Sequence, residues 1–437
     1  MASSCSNIDV LVEPDINTVP SCSHGPCLLF DQYTKDGRSR KFFACSAFRN
    51  RKQCSFFRWA EDLKYCHSKG QLASDPLSQN ETQIQKCEKS HTANRKRYLQ
   101  FKKLPCKERT ACTTCGIVLL PGELNEHEKK GHVLRHKVKL HDLQHPTSFF
   151  APYEDNKTYA QYLFSDTTVD FLLSYLESKD FTHVLCVGAP RIHEAITLRK
   201  RSGNVTLTSL LLDLDERYMQ VYPRKQMCLY NMFNHYFFDS KGESIFLSFL
   251  HDGGKGVVLV SDPPFGGMVE PLVATFRKIE QSWQRNVETG VSSENLKKEI
   301  SDLPIIWFFP YFMEKRITDA MPSLTMLDYK VDYENHTLFK TKEVKKKGSP
   351  VRIFTNLPAE LFALPASEGY WFCAKCQRFS AEENRHCDKC GSCTSKDGTT
   401  YKHCDSCKRC VKPSRVHCPQ CDVCDLPSHI VGSSSTS

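Results

Sequence analysis

The middle of the chain alternates between short, strongly apolar runs and longer amphipathic stretches. The apolar runs predict buried strands at 183–188, 209–215, 228–238, 256–265 and 304–312, and a terminal antiparallel pair at 326–333 and 351–355. Helices are expected at 167–178, 191–199 and 268–285. Strands that alternate with helices are typical of a doubly wound parallel sheet, which binds ligands at the carboxyl ends of its strands. We therefore predict an α/β domain over residues 150–365.

Cysteines dominate the two ends of the chain. Of the 23 cysteines, ten lie in residues 1–150, two in 151–365 and eleven in 366–437. The N-terminus lacks the basic and apolar regions of a signal peptide, so we expect an intracellular chain, where structural disulfides are not maintained. Cysteine-rich ends around a cysteine-poor centre indicate zinc modules attached to a catalytic or binding domain.

Size and charge agree with this organisation. A chain of 437 residues needs two or three domains, and 40% hydrophobic with 25% charged residues is typical of a globular protein. The longest strongly apolar run, 305–313, has nine residues and contains a proline, which is too short to span a membrane. The net charge of +9 suits a polyanionic partner.

The first zinc module is predicted over residues 20–62. The order C-x-H, GRxFxxC, CxFFxW resembles the GRF-type zinc finger, which binds single-stranded nucleic acid. Its four candidate ligands are Cys22, His24, Cys45 and Cys54. Cys27 is an alternative partner for Cys22.

Basic and aromatic residues follow one another in this module. Arg38, Arg40 and Lys41 precede Phe42 and Phe43, a combination that can contact phosphates and stack on bases. The simpler interpretation, which we favour for the two phenylalanines, is that they form the core of a small module.

The second zinc module is predicted over residues 105–140. Its ligand spacing, Cys112-x2-Cys115-x11-His127-x4-His132, is close to that of a classical C2H2 finger. His136 is an alternative last ligand. A basic cluster (Arg95–Arg97 and Lys102–Lys103, beside Tyr98 and Phe101) lies between the two modules. The residues Cys66, His67, Cys87, His91 and Cys106 have no clean ligand spacing and stay unassigned.

A cysteine array is predicted over residues 370–430. Its fourteen potential ligands are enough for three zinc ions with two residues left over, and their pairing into sites stays open. They are Cys373, Cys376, His386, Cys387, Cys390, Cys393, His403, Cys404, Cys407, Cys410, His417, Cys418, Cys421 and Cys424. With one zinc in each N-terminal finger, we expect about five ions per chain.

The array resembles the cysteine-rich domain of DHHC palmitoyltransferases, which makes that enzyme class a competitor. The required Asp-His-His-Cys is Tyr401-Lys-His-Cys404 here, and no membrane spans are predicted. We therefore interpret the array as structural.

Two patterns at strand ends predict the chemistry of the central domain. Gly188 follows the first strand and allows close approach of a cofactor, while Asp213 ends the second strand and can accept from a ribose hydroxyl. The segment Gly188-Ala-Pro190-Arg191 is a poor match to GxGxxG, so it is weak evidence by itself.

The stronger pattern is Asp262-Pro263-Pro264-Phe265 at the end of the fourth strand. It resembles the [DN]PP[FYW] motif of S-adenosylmethionine-dependent amino-methyltransferases. A carboxylate and a backbone carbonyl can bind the two hydrogens of a poorly nucleophilic exocyclic amine, and an aromatic ring can stack on its base. A bare tetrapeptide of this kind could be only a turn, but the buried strand before it and the helix after it favour catalysis.

Together these elements resemble the zinc-finger CCHC-domain-containing ribosomal RNA N6-adenosine methyltransferases. The resemblance rests on the GRF module, the C2H2 finger, the segment 160–164 and DPPFGG, and it spans most of the chain. It implies that the cofactor is covered by Gln161, Tyr162, Leu163, Phe164, Arg191, Asp213, Asn231, Met232 and Phe233. It also implies a structured adenosine of large-subunit ribosomal RNA as target, action in the nucleus and nucleolus with some in the cytoplasm, and ribosome-biogenesis or translation factors as further partners.

One element of that family is missing from the pattern. No C-x2-C-x4-H-x4-C knuckle occurs in the printed sequence. The competing functions are a zinc-finger RNA-binding scaffold with an inactive catalytic domain, and a DNA adenine or protein amine methyltransferase. We expect the fingers to select the RNA, so that deleting 1–140 impairs RNA methylation far more than cofactor binding. The alternative is that the fingers only brace the core.

Overall fold

A computed structural model describes residues 8–11, 19–33, 37–62, 91–153, 161–289, 302–335 and 348–432. The chain divides into two compact units, one of Met1–Leu163 with Leu176–Leu303 and one of Phe164–Tyr175 with Pro304–Ser437. Within the described ranges, no helix combines the length and apolar character needed to cross a bilayer. The predicted mixture of helices and strands with zinc-binding ends is confirmed.

The first finger is built from six short strands. Four of them form an antiparallel sheet in the order β1-β4-β5-β6, and β2 and β3 form a hairpin. Their bounds are β1 Ile8–Leu11, β2 Ser21–Cys22, β3 Gly25–Pro26, β4 Leu28–Tyr33, β5 Ser39–Ala44 and β6 Phe57–Trp59. Phe42 stacks on Phe30 and Phe57, with ring centroids 5.1 and 5.0 Å apart. Phe42 is therefore part of the finger's core.

The second finger has three strands and a short helix. Strand β7 pairs with β8 and β9, and helix α1 follows β8. Their bounds are β7 Thr110–Cys112, β8 Ile117–Leu119, α1 Leu124–Lys129 and β9 Leu134–His136. Gln220, which belongs to the core of the first unit, accepts from the Val118 amide (3.1 Å) and donates to the Gly116 carbonyl (2.8 Å). This finger therefore packs directly on the core.

The basic cluster before this finger is largely structural. Residues 91–103 are helical, and Tyr98 and Phe101 are buried, so neither ring is available to stack on a base. Arg95 donates to the carbonyls of Gln220 and Val221, and Arg97 pairs with Glu123. The exposed cations of this cluster are Lys96, Lys102 and Lys103.

The core of the first unit is a sheet of mainly parallel strands. Strand β10 pairs in parallel with β11 and β14, and β11 pairs in parallel with β12. The strands are β10 His183–Val187, β11 Thr208–Asp213, β12 Met227–Asn231, β13 Tyr236–Phe237 and β14 Val257–Ser261. The helices of this unit are α2 Pro146–Phe149, α4 Pro190–Arg201, α5 Tyr218–Val221, α6 Ser240–Gly253 and α7 Val269–Thr289. Most of helix α3, Asp166–Ser178, belongs to the second unit.

The third strand predicted within 228–238 is present as β12. This stretch is not one strand: β12 ends at Asn231, and β13 returns antiparallel to it. The turn between them contains His235 at φ 55°, where the chain reverses. Because of this reversal, Asn231 and Asn234 lie at the carboxyl edge of the sheet. Helix α6, which follows, was not predicted.

The second unit contains an antiparallel group of strands and the cysteine array. Strand β17 pairs antiparallel with both β15 and β16. The bounds are β15 Ile305–Pro310, α8 Glu314–Ala320, β16 Thr325–Leu327 and β17 Val351–Thr355. Asp328 is buried and accepts from the Ala381 amide and the Asn384 side chain, both at 2.8 Å. The start of the array thus packs on the end of the predicted methyltransferase region.

The array itself is a series of hairpins. Their strands are β18 Tyr370–Cys373, β19 Arg378–Ala381, β20 His386–Cys387, β21 Ser392–Cys393, β22 Lys402–Cys404, β23 Arg409–Val411, β24 Val416–Cys418 and β25 Val423–Asp425, and α9 Pro427–Gly432 follows. The two strands of each hairpin, β18–β19, β20–β21, β22–β23 and β24–β25, are antiparallel.

Candidate active site

A cavity of about 620 Å³ lies at the carboxyl ends of β10, β11, β12 and β14. Its volume is in the range of sites that bury a small organic molecule. Of the predicted site residues, it is lined by Gln161, Tyr162, Leu163, Gly188, Pro190, Asp213, Asn231, Met232, Phe233, Asp262, Pro263, Pro264 and Phe265. The cavity thus brings together predicted site residues that are up to 104 positions apart, from Gln161 to Phe265.

Gly188 provides the close approach that the sequence predicts at the end of β10. Its φ is +63°, and a Cβ added there would lie 2.4 Å from Cε of Met232 and 3.3 Å from the Asp262 carbonyl oxygen. Any other residue would be strained in this backbone conformation, and its Cβ would require the end of the Met232 side chain to move. A cofactor can therefore approach the backbone at this turn.

Acidic groups line the cavity at the end of β11. The Asp213 side chain accepts from the backbone amide of Asp215 at 2.8 Å. Burial, and then the neighbouring Asp215 carboxylate, raise the pKa of Asp213 to about 7. A buried carboxylate at this place is suited to accept hydrogen bonds from ribose hydroxyls, which would replace its lost hydration.

Gln161 is fixed by an ion pair that the sequence did not indicate. Its amide nitrogen donates to Asp215 Oδ2 at 3.0 Å, and its oxygen accepts from Arg217 Nη2 at 3.0 Å. The Arg217 guanidinium is paired with Asp215 (2.6 Å) and lies 3.9 Å from the centre of the Tyr153 ring. Tyr153 and Asp215 also line the cavity. They were missed because no motif marks them.

The DPPF segment forms a tight turn after β14. The Asp262 amide donates to the Val187 carbonyl of β10 at 3.2 Å, and the Gly267 amide closes the turn on the Pro264 carbonyl at 2.7 Å. The Phe265 ring stacks on Tyr162, with centroids 5.4 Å apart and planes 23° from parallel. Asp262 and the two prolines are thereby held at the cavity wall beside an aromatic pair.

Two residues of the predicted cofactor set do not line this cavity. Phe164 is buried in the second unit, where its ring contacts Phe308 (4.7 Å) and Tyr333 (5.2 Å). Arg191 pairs with the buried Glu194 at 2.8 Å. Phe164 follows the lining residue Leu163, and Arg191 follows the lining residue Pro190. The Phe164 side chain nevertheless packs in an aromatic cluster, and the Arg191 side chain forms an ion pair.

Among the residues that the structure describes, at least five groups of four cysteine and histidine side chains lie close enough to hold a metal ion. Within each group the ligand atoms lie within 4.8 Å of one another. The N-terminal groups are Cys22, His24, Cys45 and Cys54, and Cys112, Cys115, His127 and His132. The C-terminal groups are Cys373, Cys376, His386 and Cys393; Cys387, Cys390, His403 and Cys410; and Cys404, Cys407, His417 and Cys424. Thiolates and imidazoles in fours are the ligand set of structural zinc.

The structure also places the alternative ligands. His136 lies beside the Thr110 hydroxyl (3.1 Å), and Cys27 is buried next to the first group without being part of it. Cys418 and Cys421 belong to none of the three C-terminal groups, and Sγ of Cys421 lies 3.3 Å from Nε2 of His429. His91 is buried against the Tyr222 carbonyl, and Cys106 is exposed. Cys66, His67 and Cys87 lie outside the described residues.

Comparisons with known proteins agree with this geometry. The family described as "Probable N6-adenine methyltransferase" matches residues 155–355, and the GRF zinc finger family matches residues 20–63. The human rRNA N(6)-adenosine-methyltransferase ZCCHC4 is 45% identical over 379 residues, which is 85% of this chain and 71% of the relative. The mouse protein of that name is 46% identical (84% and 70%), and the Xenopus tropicalis protein is 42% identical (88% and 76%).

The residues present fit the groups that these families use. A methyltransferase uses S-adenosylmethionine, and the Gly188 turn, the buried Asp213 and the cavity volume suit it. The GRF match and the five groups of cysteine and histidine suit zinc. Identity above 40% over most of both chains leaves no doubt about kinship: the chain belongs to the same family as these rRNA N(6)-adenosine-methyltransferases.

Proposed function

We propose that this protein transfers a methyl group from S-adenosylmethionine to the exocyclic N6 of an adenosine in ribosomal RNA. The observation that carries the proposal is the DPPF turn on the wall of a cavity that also holds Gly188 and Asp213. The relatives' names supply the class of substrate. We further propose that the adenosine lies in large-subunit RNA and that the protein acts in the nucleus and nucleolus.

Methyl transfer to N6 requires the protein to activate a weak nucleophile. The lone pair of the adenine N6 is delocalised into the ring. The Asp262 carboxylate and the Pro263 carbonyl would accept hydrogen bonds from its two N–H groups and draw the nitrogen toward tetrahedral geometry. Pro263 and Pro264 fix the backbone that presents this carbonyl, because each proline ring locks φ. When bound, S-adenosylmethionine supplies an electrophilic methyl group, and positioning supplies much of the rate.

The other residues of the cavity hold the reactants in place. The Asp213 carboxylate would accept from ribose hydroxyls of the cofactor, and the Gly188 turn would let its chain lie against the backbone. The Tyr162 and Phe265 rings offer an apolar surface for the target base, which must leave its stack at a cost of a few kcal/mol. An inactive scaffold would not need an acid, two prolines and an aromatic ring on one wall.

The direct test is the Asp262→Ala protein. We expect methylation of ribosomal RNA to fall by at least about 10²-fold, since one positioned acceptor is lost from the reacting amine. Binding of S-adenosylmethionine, followed by calorimetry, should survive in large part. Near-normal turnover by a folded Asp262→Ala protein would remove the motif from the mechanism.

The substrate is tested separately. N6-methyladenosine should be mapped in total RNA from cells with and without the protein, and from cells that carry only the Asp262→Ala form. A site in large-subunit ribosomal RNA that is lost in the second and third samples is the expected result. Methylation lost only from DNA or protein would contradict the proposal.

A further inference from the structure

The first zinc finger contributes one wall of the catalytic cavity. Ser23, His24, Ala47 and Phe48, all from the finger, line the same space as Asp262 and Phe265. The sequence predicted the finger as an RNA-binding module separate from the catalytic domain. Its place in the cavity gives it a second role.

Two asparagines of the core fix this wall. The side-chain nitrogen of Asn231 donates to the His24 carbonyl and to the Ser46 hydroxyl, both at 2.8 Å. That of Asn234 donates to the Pro26 carbonyl at 2.8 Å and reaches the same Ser46 hydroxyl at 2.9 Å. Asn231 is 1% exposed, so these bonds are shielded from water. The finger is therefore held at a defined place beside the cavity.

The metal site of the finger orients Phe48. Its backbone amide donates to Sγ of Cys45 at 3.4 Å, and its ring lies edge-on to the His24 ring with centroids 4.7 Å apart. Cys45 and His24 both belong to the first ligand group. A zinc ion in this group would fix both neighbours of the Phe48 ring.

We propose that Phe48 is a substrate-binding residue that contacts the target adenine when the base enters the cavity. The proposal rests on the proposed function. Phe265 already has one stacking partner in Tyr162, and Phe48 supplies an aromatic surface from a different element. Aromatic side chains recognise unstacked bases because every base has a π-face. The finger thus takes part in binding the target base.

The test compares Phe48→Ala, Phe48→Leu and Phe48→Trp in the full, zinc-loaded chain. The substrate is ribosomal RNA from cells that lack this methylation. For Phe48→Ala we expect the KM for RNA to rise by about tenfold or more, the size of effect typical of a lost base contact. The Kd for S-adenosylmethionine and the zinc content should stay near wild type. Phe48→Trp, which keeps an aromatic face, should restore most of the loss, and Phe48→Leu should not.

Tyr33 provides the matched control. It is an aromatic residue of the same finger, 40% exposed, and it is not among the residues that line the cavity. Tyr33→Ala should leave the KM for RNA unchanged. If Tyr33→Ala and Phe48→Ala raise KM equally, the finger acts only as a general RNA-binding surface.

Other outcomes also decide the matter. Equal rescue by Leu and Trp would mean that Phe48 only fills space, and a parallel loss of cofactor affinity or zinc in every variant would mean that it only supports the fold. Both results overturn the inference. Wild-type protein that methylates no ribosomal RNA overturns the proposed function itself, whereas wild-type turnover with an unaffected Phe48→Ala protein overturns this inference alone.

Discussion

At the scale of single residues, Asp213 is the group whose chemistry is most open to measurement. Burial raises its pKa to about 7, so the carboxylate and the carboxylic acid are both populated near neutrality in the free protein. The carboxylate can accept from one ribose hydroxyl on each of its oxygens, whereas the carboxylic acid carries an O–H donor on one of them. Its state should therefore control cofactor affinity.

We predict that affinity for S-adenosylmethionine increases with pH up to about 7 and then levels off. Below the pKa, binding must displace one proton from Asp213, which weakens affinity by up to about tenfold per pH unit. Calorimetric titrations between pH 5.5 and 8.5 measure this. In Asp213→Asn the pH-dependent step should disappear and affinity should be low throughout. A variant that keeps the full pH profile would assign the proton to another group.

At the scale of elements, the C-terminal hairpins share their metal ligands in an interlocked order. His386 belongs to the first group and the next residue, Cys387, to the second. His403 and Cys404 divide in the same way between the second and third groups. Each His-Cys pair lies on one short strand, so a displaced strand disturbs two sites. Few apolar residues are present, and zinc must contribute much of the folding free energy here.

Interlocking predicts that one substitution removes more than one ion. His403→Ala should lose its own zinc and weaken the third site through Cys404, so that elemental analysis finds at least two ions fewer than in wild type. His132→Ala in the second finger, whose ligands serve a single group, should lose one. Loss of only one ion in both variants would show that the C-terminal sites are independent. Wild-type protein with two ions or fewer would contradict the ligand groups themselves.

At the scale of the molecule, the two fingers and the catalytic core of the first unit are joined by buried polar contacts. Gln220 connects the second finger to α5, and Asn231 and Asn234 connect the first to the β12–β13 turn. The fingers therefore brace the core, which was the alternative to pure recruitment. Both functions can coexist, because Arg38, Lys41 and Lys96 remain on exposed faces.

Removal of the fingers should therefore affect the whole first unit. We predict that deletion of residues 1–140 lowers the thermal midpoint and weakens cofactor binding, since it removes the buried Tyr98 and Phe101. Differential scanning calorimetry and a cofactor titration measure these two effects. A truncated protein with an unchanged thermal midpoint and unchanged cofactor affinity would show that the fingers act in RNA recruitment alone.

Recruitment is isolated by charge reversal. Arg38→Glu with Lys41→Glu should leave the midpoint, zinc content and cofactor affinity unchanged but weaken RNA binding. The difference from wild type should shrink as salt rises, because fewer counterions are released by the variant. The same loss at high and low salt would mean that these side chains do not contact phosphates.

The sequence was sufficient to predict the site residues that a local pattern marks. Gly188, Asp213 and the DPPF turn were found because a parallel sheet brings the ends of successive strands to one edge. The role of Phe48 was not found, since it depends on hydrogen bonds between residues about 200 positions apart, such as Asn231 and His24. Phe164 was assigned to the cofactor through the family resemblance, although its side chain packs against Phe308 and Tyr333. The pairing of the C-terminal ligands required the register of the hairpins.

Because the first zinc finger forms one wall of the cavity, methyl transfer should be sensitive to oxidants. The DPPF turn contains no thiol, and methyl transfer to an amine involves no electron transfer. Three of the four side chains that hold the first metal group are nevertheless cysteines, and Cys45 directly supports the loop that ends at Phe48. Oxidation of those thiolates to disulfides or sulfenic acids would release the metal and free this wall of the cavity. The turnover of the enzyme on RNA should then fall under oxidising conditions, and it should recover when reductant and zinc are added.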